Sequence, residues 1–258
     1  MTLTVATWNV NSIRARMDLL LEWLRGSRPD VACLQETKVA DQEFPEEAFT
    51  QLGYQAAFKG QKTYNGVCIL SRLPLDDVVT DFEVIEEDEK RLLQVRAGEV
   101  TVIDAYVPHG QVPESAAFYR KIDFLEGLRV YLDNHFNPRD DHLVLVGDFN
   151  VAPEAKDVYD PGLLEGSIGF YPREREALAY LRDWGFVDVF RRCNPGTTAF
   201  SWWDYRGSAF AHDRGMRLDH IWVSPPLASR CSDCVIQRAW RGRPRPSDHA
   251  PVVATFDG

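Results

Sequence analysis

Short apolar runs alternate with amphipathic segments along the chain, and this alternation predicts strands separated by helices. Leu3 to Thr7 form a first apolar run, after which residues 13–24 repeat apolar side chains at helical spacing until Gly26. A second apolar run, Val31 to Leu34, follows at once. The pattern is typical of an α/β fold. Further strands are predicted at 54–58, 67–71, 92–97, 100–107, 142–146, 218–223 and 251–256, and further helices at 114–132 and 173–184.

Polar clusters stand where several of these predicted strands begin or end. The most informative is Gly147-Asp148-Phe149-Asn150, because a carboxylate and an amide two residues apart on an extended chain point the same way. Any one such cluster is well explained as a strand cap, but together they match the hard ligands found around Mg²⁺ or Mn²⁺ and a phosphate. The other clusters are Thr7-Trp8-Asn9-Val10-Asn11, Gln35-Glu36-Thr37-Lys38 and Ser247-Asp248-His249-Ala250-Pro251.

Two of these clusters also reveal a weak internal echo. A predicted helix followed by an apolar strand with an acidic tip occurs once before Glu36 and again before Asp148. Such an echo, with strands of mixed order and long helices, favours two sheets packed face to face with helices outside. The polar strand ends would then meet at one mouth.

Length and composition bound the class of protein. With 258 residues, 45% hydrophobic and 26% charged, the chain is expected to form a single α/β domain over residues 1–258. No apolar run approaches the length of a membrane span, and the chain enters its first strand without a basic leader. We therefore expect no membrane association and a cytoplasmic location.

The net charge and the cysteines argue against two further classes of protein, a general nucleic-acid coat protein and a zinc-finger protein. A formal charge of −10 argues against a protein that coats nucleic acid indiscriminately, although a nuclease with a local basic rim is compatible with it. Cys33 and Cys68 lie in predicted strands as core residues, whereas Cys231 and Cys234 have the spacing of half a zinc site with no second pair. We read the latter two as reduced thiols. The basic residues close in sequence to the polar clusters are Arg14, Arg16, Lys38, Lys59, Lys62, Arg206, Arg214, Arg217, Arg241, Arg243 and Arg245.

These motifs, in this order, resemble those of a known family. Together with Gly60-Gln61-Lys62, Tyr106-Val107-Pro108, Phe200 to Arg206 and Arg217-Leu218-Asp219, they make the chain similar over its whole length to the exonuclease III class of abasic-site endonucleases, within the endonuclease/exonuclease/phosphatase superfamily. The resemblance implies a deoxyribonuclease-like four-layered α/β sandwich, with two packed mixed β-sheets flanked by helices. It also implies Mg²⁺-dependent hydrolysis of the phosphodiester 5′ to abasic sites in duplex DNA, with 3′–5′ exonuclease or 3′-phosphodiesterase activity.

The same resemblance implies roles for the polar residues. Asp148 would activate the attacking water, and His249, oriented by Asp219, would contact the phosphate. One or two Mg²⁺ ions are implied, with Mn²⁺ able to substitute, and the number of ions stays open. The implied catalytic residues are Tyr106, Asp148, Asn150, Asp219 and His249, and the implied metal ligands are Asn9, Glu36, Asp148, Asn150, Asp248 and His249.

The resemblance also implies how substrate is held. Trp202, Met216 and Leu218 match a small apolar pocket for a flipped, base-free deoxyribose, whereas the neighbouring Trp203 is predicted to lie in the core. Arg206 matches a side chain that enters the duplex. Tyr64 and Arg14 match DNA-backbone contacts. For these two residues and for Arg206, the alternative of a solvated surface residue stays open. The remaining implied substrate contacts are Asn11 and His109.

Two departures from the family pattern concern the expected DNA path. His109 stands where many relatives carry Gln or Asn, and the segment 110–118 is shorter than in enterobacterial relatives. A protonated His109 would bind a phosphate more tightly, so affinity is predicted to rise as pH falls through about 7 to 6. The balance between endonuclease and exonuclease activity stays open.

Two other functions compete with the DNA enzyme. A phosphoesterase for a small or lipid substrate would share the catalytic core, but the paired tryptophans and the Gln-Glu-Thr-Lys motif favour the DNA branch. A catalytically dead binding protein would have lost acidic residues or the histidine, and all of them are present. The expected partner is therefore double-stranded DNA with abasic sites or blocked 3′ ends, bound by a monomer.

Overall fold

Two mixed β-sheets form the body of the protein in a computed structural model, which describes residues 2–83 and 89–258. The strands are β1 (Leu3–Asn9), β2 (Val31–Gln35), β3 (Gln55–Lys59), β4 (Val67–Ser71), β5 (Leu75–Val79), β6 (Leu92–Ala97), β7 (Val100–Tyr106), β8 (Leu143–Asp148), β9 (Val187–Asp188), β10 (Asp219–Val223), β11 (Cys231–Ile236) and β12 (Val252–Phe256). The α-helices are α1 (Met17–Ser27), α2 (Glu46–Thr50), α3 (Ala116–His135), α4 (Pro161–Leu164), α5 (Pro172–Arg182), α6 (Val189–Cys193) and α7 (Pro225–Ala228).

Both sheets are built on the same plan. The first has the strand order β11-β12-β1-β2-β4-β3 and the second β5-β6-β7-β8-β10-β9. Each contains one parallel pair, β1 with β2 or β7 with β8, whose connection runs through a long helix, α1 or α3. The other pairings are antiparallel. The internal echo in the sequence corresponds to these two crossover units.

The core lies in three layers, which follow from the alternation of side chains along the strands. Val5, Val102 and Ile221 belong to a buried cluster between the two sheets. Trp23 of α1 packs on the outer face of the first sheet, and Leu125 of α3 packs on the outer face of the second. Helix, sheet, sheet and helix therefore form four layers, and the predicted four-layered α/β sandwich is confirmed.

Helix α1 begins four residues later than the hydrophobic spacing predicts. Asn11 and Ser12 have positive φ angles of 44° and 89°, which end β1 without starting a helix. The backbone N–H groups of Ser12 and Ile13 instead donate to the carbonyls of Glu36 and of the next residue, at 2.8 and 3.1 Å. The chain after β1 thus runs beside the chain after β2, and this pairing holds two of the polar clusters together.

Three strands, β5, β9 and β11, and the cysteine cluster were not predicted, and β9 has only two residues. Strands β5 and β11 lie at sheet edges, where exposed polar residues break the apolar alternation. Cys231 lies with its sulfur 3.7 Å from that of Cys193, and Cys193, Cys231 and Cys234 are all free thiols. Within residues 2–83 and 89–258, no helix combines the length and apolar character that crossing a membrane requires.

Candidate active site

Strand register brings the predicted residues to one end of the two sheets. Tyr106 on β7 lies opposite Asp148 on the parallel strand β8, and Asp219 on β10 lies opposite Asp148 from the other side. Directly opposed residues project their side chains from the same face of a sheet. In the first sheet, Asn9 lies at the end of β1, and Glu36 follows the end of the parallel strand β2. These side chains meet between the sheets.

Left-handed backbone conformations aim several of these side chains. Glu36, Lys38 and Asn150 have φ angles of 54°, 54° and 53°, and Asn11 has 44°. Such conformations cost non-glycine residues roughly 1–3 kcal/mol each and persist where the surrounding structure holds them. They lie directly after β1, β2 and β8, so part of the backbone strain of the chain falls at the candidate site.

Glu36 is held from both sides by hydrogen-bond donors. Its Oε1 accepts from Asn9 Nδ2 at 2.8 Å and from the Tyr106 hydroxyl at 2.9 Å, and its Oε2 lies 2.7 Å from Lys38 Nζ. Burial alone would raise the pKa of Glu36, but the Lys38 charge and the bond from Asn9 outweigh it and hold that pKa below its ordinary value. Glu36 is therefore presented as a carboxylate.

Asp148 is suited to accept a proton. Its Oδ1 accepts from the backbone N–H of Asn150 and its Oδ2 from Asn9 Nδ2, both at 2.9 Å. Burial raises the pKa of Asp148 to about 7, with the nearby Asp219 charge acting in the same direction and His249 opposing it. A carboxylate with a pKa near neutrality can act as a general base under physiological conditions.

His249 forms a close pair with Asp219. Nδ1 of His249 lies 2.8 Å from Asp219 Oδ2, and its Nε2 lies 3.6 Å from Asp148 Oδ2. Burial lowers the pKa of His249, but the charges of Asp219 and Asp148 outweigh this effect and raise it to about 10. The ring is thus held as an imidazolium that can contact an anionic phosphate.

The arrangement can hold a divalent cation. Ligand atoms of Asp148, Asp219 and His249 all lie within 4.8 Å of one another and could hold a metal ion. A charged imidazolium is a poor ligand, so a hard-oxygen position near Glu36 is the better fit. There the Lys38 ammonium already lies between Glu36 Oε2 and Asn11 Oδ1, 2.7 and 2.6 Å away. A carboxylate oxygen and an amide oxygen that share one cation are ligand types that suit Mg²⁺.

Asp248 connects the polar site to an apolar cluster. Its two carboxylate oxygens accept from Asn11 Nδ2 at 2.9 Å and from the Trp202 indole N–H at 3.1 Å. The Trp202 ring packs with Met216 and Leu218 in a small apolar cluster. The backbones of Trp202 and Met216 also pair in both directions, at 2.9 and 3.0 Å. The predicted pocket residues therefore lie together beside the acidic site, and Trp203 is fully buried as expected.

Comparison with known proteins identifies the family of the chain. The model of the endonuclease/exonuclease/phosphatase family matches residues 6–249. The chain belongs to this family. It is 36% identical to exodeoxyribonuclease III of Haemophilus influenzae, over 97% of this chain and 98% of that protein. The predicted membership of the exonuclease III class is confirmed.

Solved structures of the family superpose over nearly the whole chain. An AP endonuclease from Archaeoglobus fulgidus has a TM-score of 0.96 at 39% identity, covering 99% of this chain and 100% of that chain. A 3′ phosphatase from Neisseria, solved with a product DNA hairpin, has a TM-score of 0.96 at 35% identity with the same coverage. The fold shared with these structures therefore extends from β1 to β12.

Three residues that the resemblance matches to DNA contacts make no hydrogen bond to the catalytic residues among the bonds of the described residues. Arg14 pairs with Glu43 at 3.0 Å, and Arg206 pairs with Asp204 at 3.1 Å. The side chain of Tyr64 is exposed, with 66% of its surface accessible. Their roles in DNA binding stay predictions, because a surface side chain can turn toward a ligand or stay solvated.

Several residues that complete the site were not singled out from the sequence. Lys38 belongs to the Gln-Glu-Thr-Lys motif, two residues after Glu36, and this spacing could have indicated that the two side chains pair. Ser201 Oγ accepts from the backbone N–H of Asp219, and Arg91 stacks over the Tyr106 ring at 4.5 Å. Nothing in the local pattern indicates these two contacts, because each joins distant parts of the chain.

The structure revises the expected pH dependence of His109. Its Nδ1 accepts from the backbone N–H of Gln111 at 3.2 Å, which leaves Nε2–H as a neutral donor. Desolvation and the charge of Lys121 lower the pKa of His109 below its ordinary value.

The affinity of wild-type protein for an uncleavable abasic duplex should therefore equal that of His109→Gln at pH 7. The affinity of the wild type should exceed that of the variant only as pH falls below about 6.5, where a bound phosphate favours the imidazolium. Binding of a fluorescent duplex at several pH values measures this. Curves that already separate at pH 8 would contradict the lowered pKa, and curves that overlap throughout would make His109 a loop residue.

Proposed function

We propose that the protein is a Mg²⁺-dependent DNA repair nuclease that hydrolyses the phosphodiester 5′ to abasic sites in duplex DNA. We propose 3′–5′ exonuclease or 3′-phosphodiesterase activity at the same site. The observation that carries the proposal is Asp248, which joins the carboxylate site to the pocket of Trp202 through one hydrogen bond. Relatives named exodeoxyribonuclease III and AP endonuclease support it.

The proposed reaction divides its tasks among the residues already described. Asp148 takes the proton of the attacking water, and the amide of Asn150 helps to orient that water. The His249 imidazolium, held by Asp219, stabilises charge on a phosphate oxygen. When bound, Mg²⁺ would neutralise developing negative charge and assist departure of the 3′ oxygen. The residues proposed to hold it are Asn9, Asn11, Glu36, Asp148, Asn150 and Asp248, with Mn²⁺ able to substitute. His249 is left out of this set, although the family resemblance implies it, because its imidazolium contacts the phosphate.

The apolar pocket supplies the proposed recognition of damage. Met216 and Leu218 are nearly fully buried, and Trp202 covers them beside Asp248. A deoxyribose without its base can enter a small pocket that a complete nucleotide cannot. The size of the pocket would therefore select a sugar that lacks its base. Further elements of the proposal are a single domain over residues 1–258, a monomeric state and a cytoplasmic location.

Cleavage of a defined duplex tests the proposed function. The substrate is an oligonucleotide with one tetrahydrofuran abasic analogue, incubated with and without Mg²⁺, beside an undamaged duplex. We expect one incision 5′ to the analogue that depends on Mg²⁺. Faster hydrolysis of sphingomyelin or of an inositol phosphate than of this duplex would instead favour the small-substrate branch of the family.

Enlarging the pocket should weaken discrimination. Trp202→Ala removes the ring that covers Met216 and Leu218, so we expect the ratio of abasic to undamaged-strand incision to fall by roughly 10-fold to 10²-fold. Competing both duplexes in one reaction measures this ratio independently of the amount of folded protein. Val158→Ala, in the same cluster but without contact to Asp248 among the described hydrogen bonds, serves as the cavity control. A ratio unchanged by Trp202→Ala would contradict the pocket assignment.

A further inference from the structure

A buried ion pair lies behind the candidate site and takes no part in the chemistry proposed above. Lys121 on α3 and Glu174 on α5 contact each other, and the side chains of both are completely inaccessible to solvent. Burying two charges costs several kcal/mol each before their attraction is counted, and apolar side chains of similar volume often stabilise a core equally well. Stability alone does not explain the pair.

Lys121 Nζ and Glu174 Oε2 each bind the backbone of loops at the site. Lys121 Nζ donates to the Asn150 carbonyl at 2.8 Å and to the His109 carbonyl at 3.3 Å, in addition to Glu174 Oε1. Glu174 Oε2 accepts from the backbone N–H groups of Gly169 at 2.8 Å and Tyr171 at 3.1 Å. One ion pair thus fixes the backbone of three separate loops, which follow β7, follow β8 and precede α5.

The loop before α5 packs against the apolar cluster that we propose as the sugar pocket. Gly169 has a φ of +82°, and a Cβ atom placed there would lie 3.2 Å from Met216 Cε and 3.4 Å from the Asn150 carbonyl oxygen. Its own carbonyl accepts from the Ala152 N–H at 2.7 Å. A shift of Gly169 would therefore change the space beside Met216 and move the chain that carries Asn150.

We propose that Lys121 and Glu174 are positioning residues for substrate selection. They hold Gly169, in the wall of the proposed pocket, at a fixed position relative to Asn150 and His109. This inference rests on the proposed abasic-site activity. The ammonium has three donors and three acceptors in fixed directions, and a neutral side chain cannot satisfy all of them at once. Loss of the pair should leave a folded protein whose pocket and water-orienting amide are no longer aligned.

The test uses the double variant Lys121→Met/Glu174→Gln. It removes both charges together, so that no unpaired charge stays buried, and the side-chain amide oxygen introduced at position 174 still accepts from the loop before α5. Leu181→Ala is the matched control, because Leu181 packs in the same α3–α5 core without contact to the three loops among the described hydrogen bonds. Circular dichroism melts identify a temperature at which all variants are folded. At that temperature kcat and KM are measured on abasic and undamaged duplexes.

We expect the double variant to lose roughly 10-fold to 10²-fold in the ratio of abasic to undamaged kcat/KM, through kcat as well as KM. Leu181→Ala should keep the wild-type ratio at a similar loss of Tm. An unchanged ratio in the double variant, or an equal change in Leu181→Ala, would overturn the positioning role. Failure of wild-type protein to incise the abasic duplex would instead overturn the proposed function.

Discussion

Asp148→Asn is expected to bind an abasic duplex about as tightly as wild type and to cleave it 10²–10⁴-fold more slowly, which is on the order of the contribution of a general base. The amide keeps the shape of the side chain and can still accept from Asn9 Nδ2. It cannot take a proton from water. Because burial raises the pKa of Asp148 to about 7, the wild-type rate should also rise as pH increases through this region, where the carboxylate forms.

Single-turnover cleavage and equilibrium binding, measured on the same duplex, separate the two effects. Asp104→Asn is the matched control, because Asp104 is a buried aspartate on β7 whose pKa burial raises well above its ordinary value. Its neutral acid form is favoured, so an amide changes little charge, and the rate should stay within a few-fold of wild type. A variant at position 148 that cleaves within a few-fold of wild type would remove Asp148 from the role of base.

Removal of divalent metal should abolish cleavage, and Mg²⁺ or Mn²⁺ should restore it, because hard oxygen atoms dominate the proposed ligand set. Glu36→Ala should then require a much higher Mg²⁺ concentration, roughly 10-fold or more, for half-maximal rate. Glu36 carries the carboxylate that faces Lys38 and the Tyr106 hydroxyl, and its pKa is held low by its neighbours. Loss of this charge removes the strongest attraction for a cation at that position.

Rates measured over a range of Mg²⁺ concentrations distinguish lost metal affinity from lost folding. Glu36→Gln keeps an oxygen acceptor for Asn9 and Tyr106 and should fall between Glu36→Ala and wild type. Glu22→Gln, which removes an exposed carboxylate paired with Arg243, should leave the titration unchanged. If Glu36→Ala titrates like wild type, the assignment of Glu36 as a metal ligand is wrong.

Local sequence patterns determined the fold class and most of the candidate chemistry. Alternation of apolar runs with helical spacing is a property of neighbouring residues, so it predicted strands, helices and the two-sheet sandwich. The polar tips that carry Asn9, Glu36, Asp148 and His249 were visible for the same reason. Strands β5 and β11 escaped prediction because an exposed edge does not impose a clean alternation.

Only the tertiary structure decided how these residues act on one another. Asn9 donates to Asp148, 139 positions away along the chain. His249, which precedes β12 of the first sheet, pairs with Asp219 of β10 in the second sheet. Burial and neighbouring charge set the pKa of Asp148 near 7 and lowered that of His109, and neither quantity is a property of a local motif. The sequence by itself thus supplied the residue types at each strand end. Their protonation states, their partners and the buried ion pair behind them depend on distances that only the packing of two sheets creates.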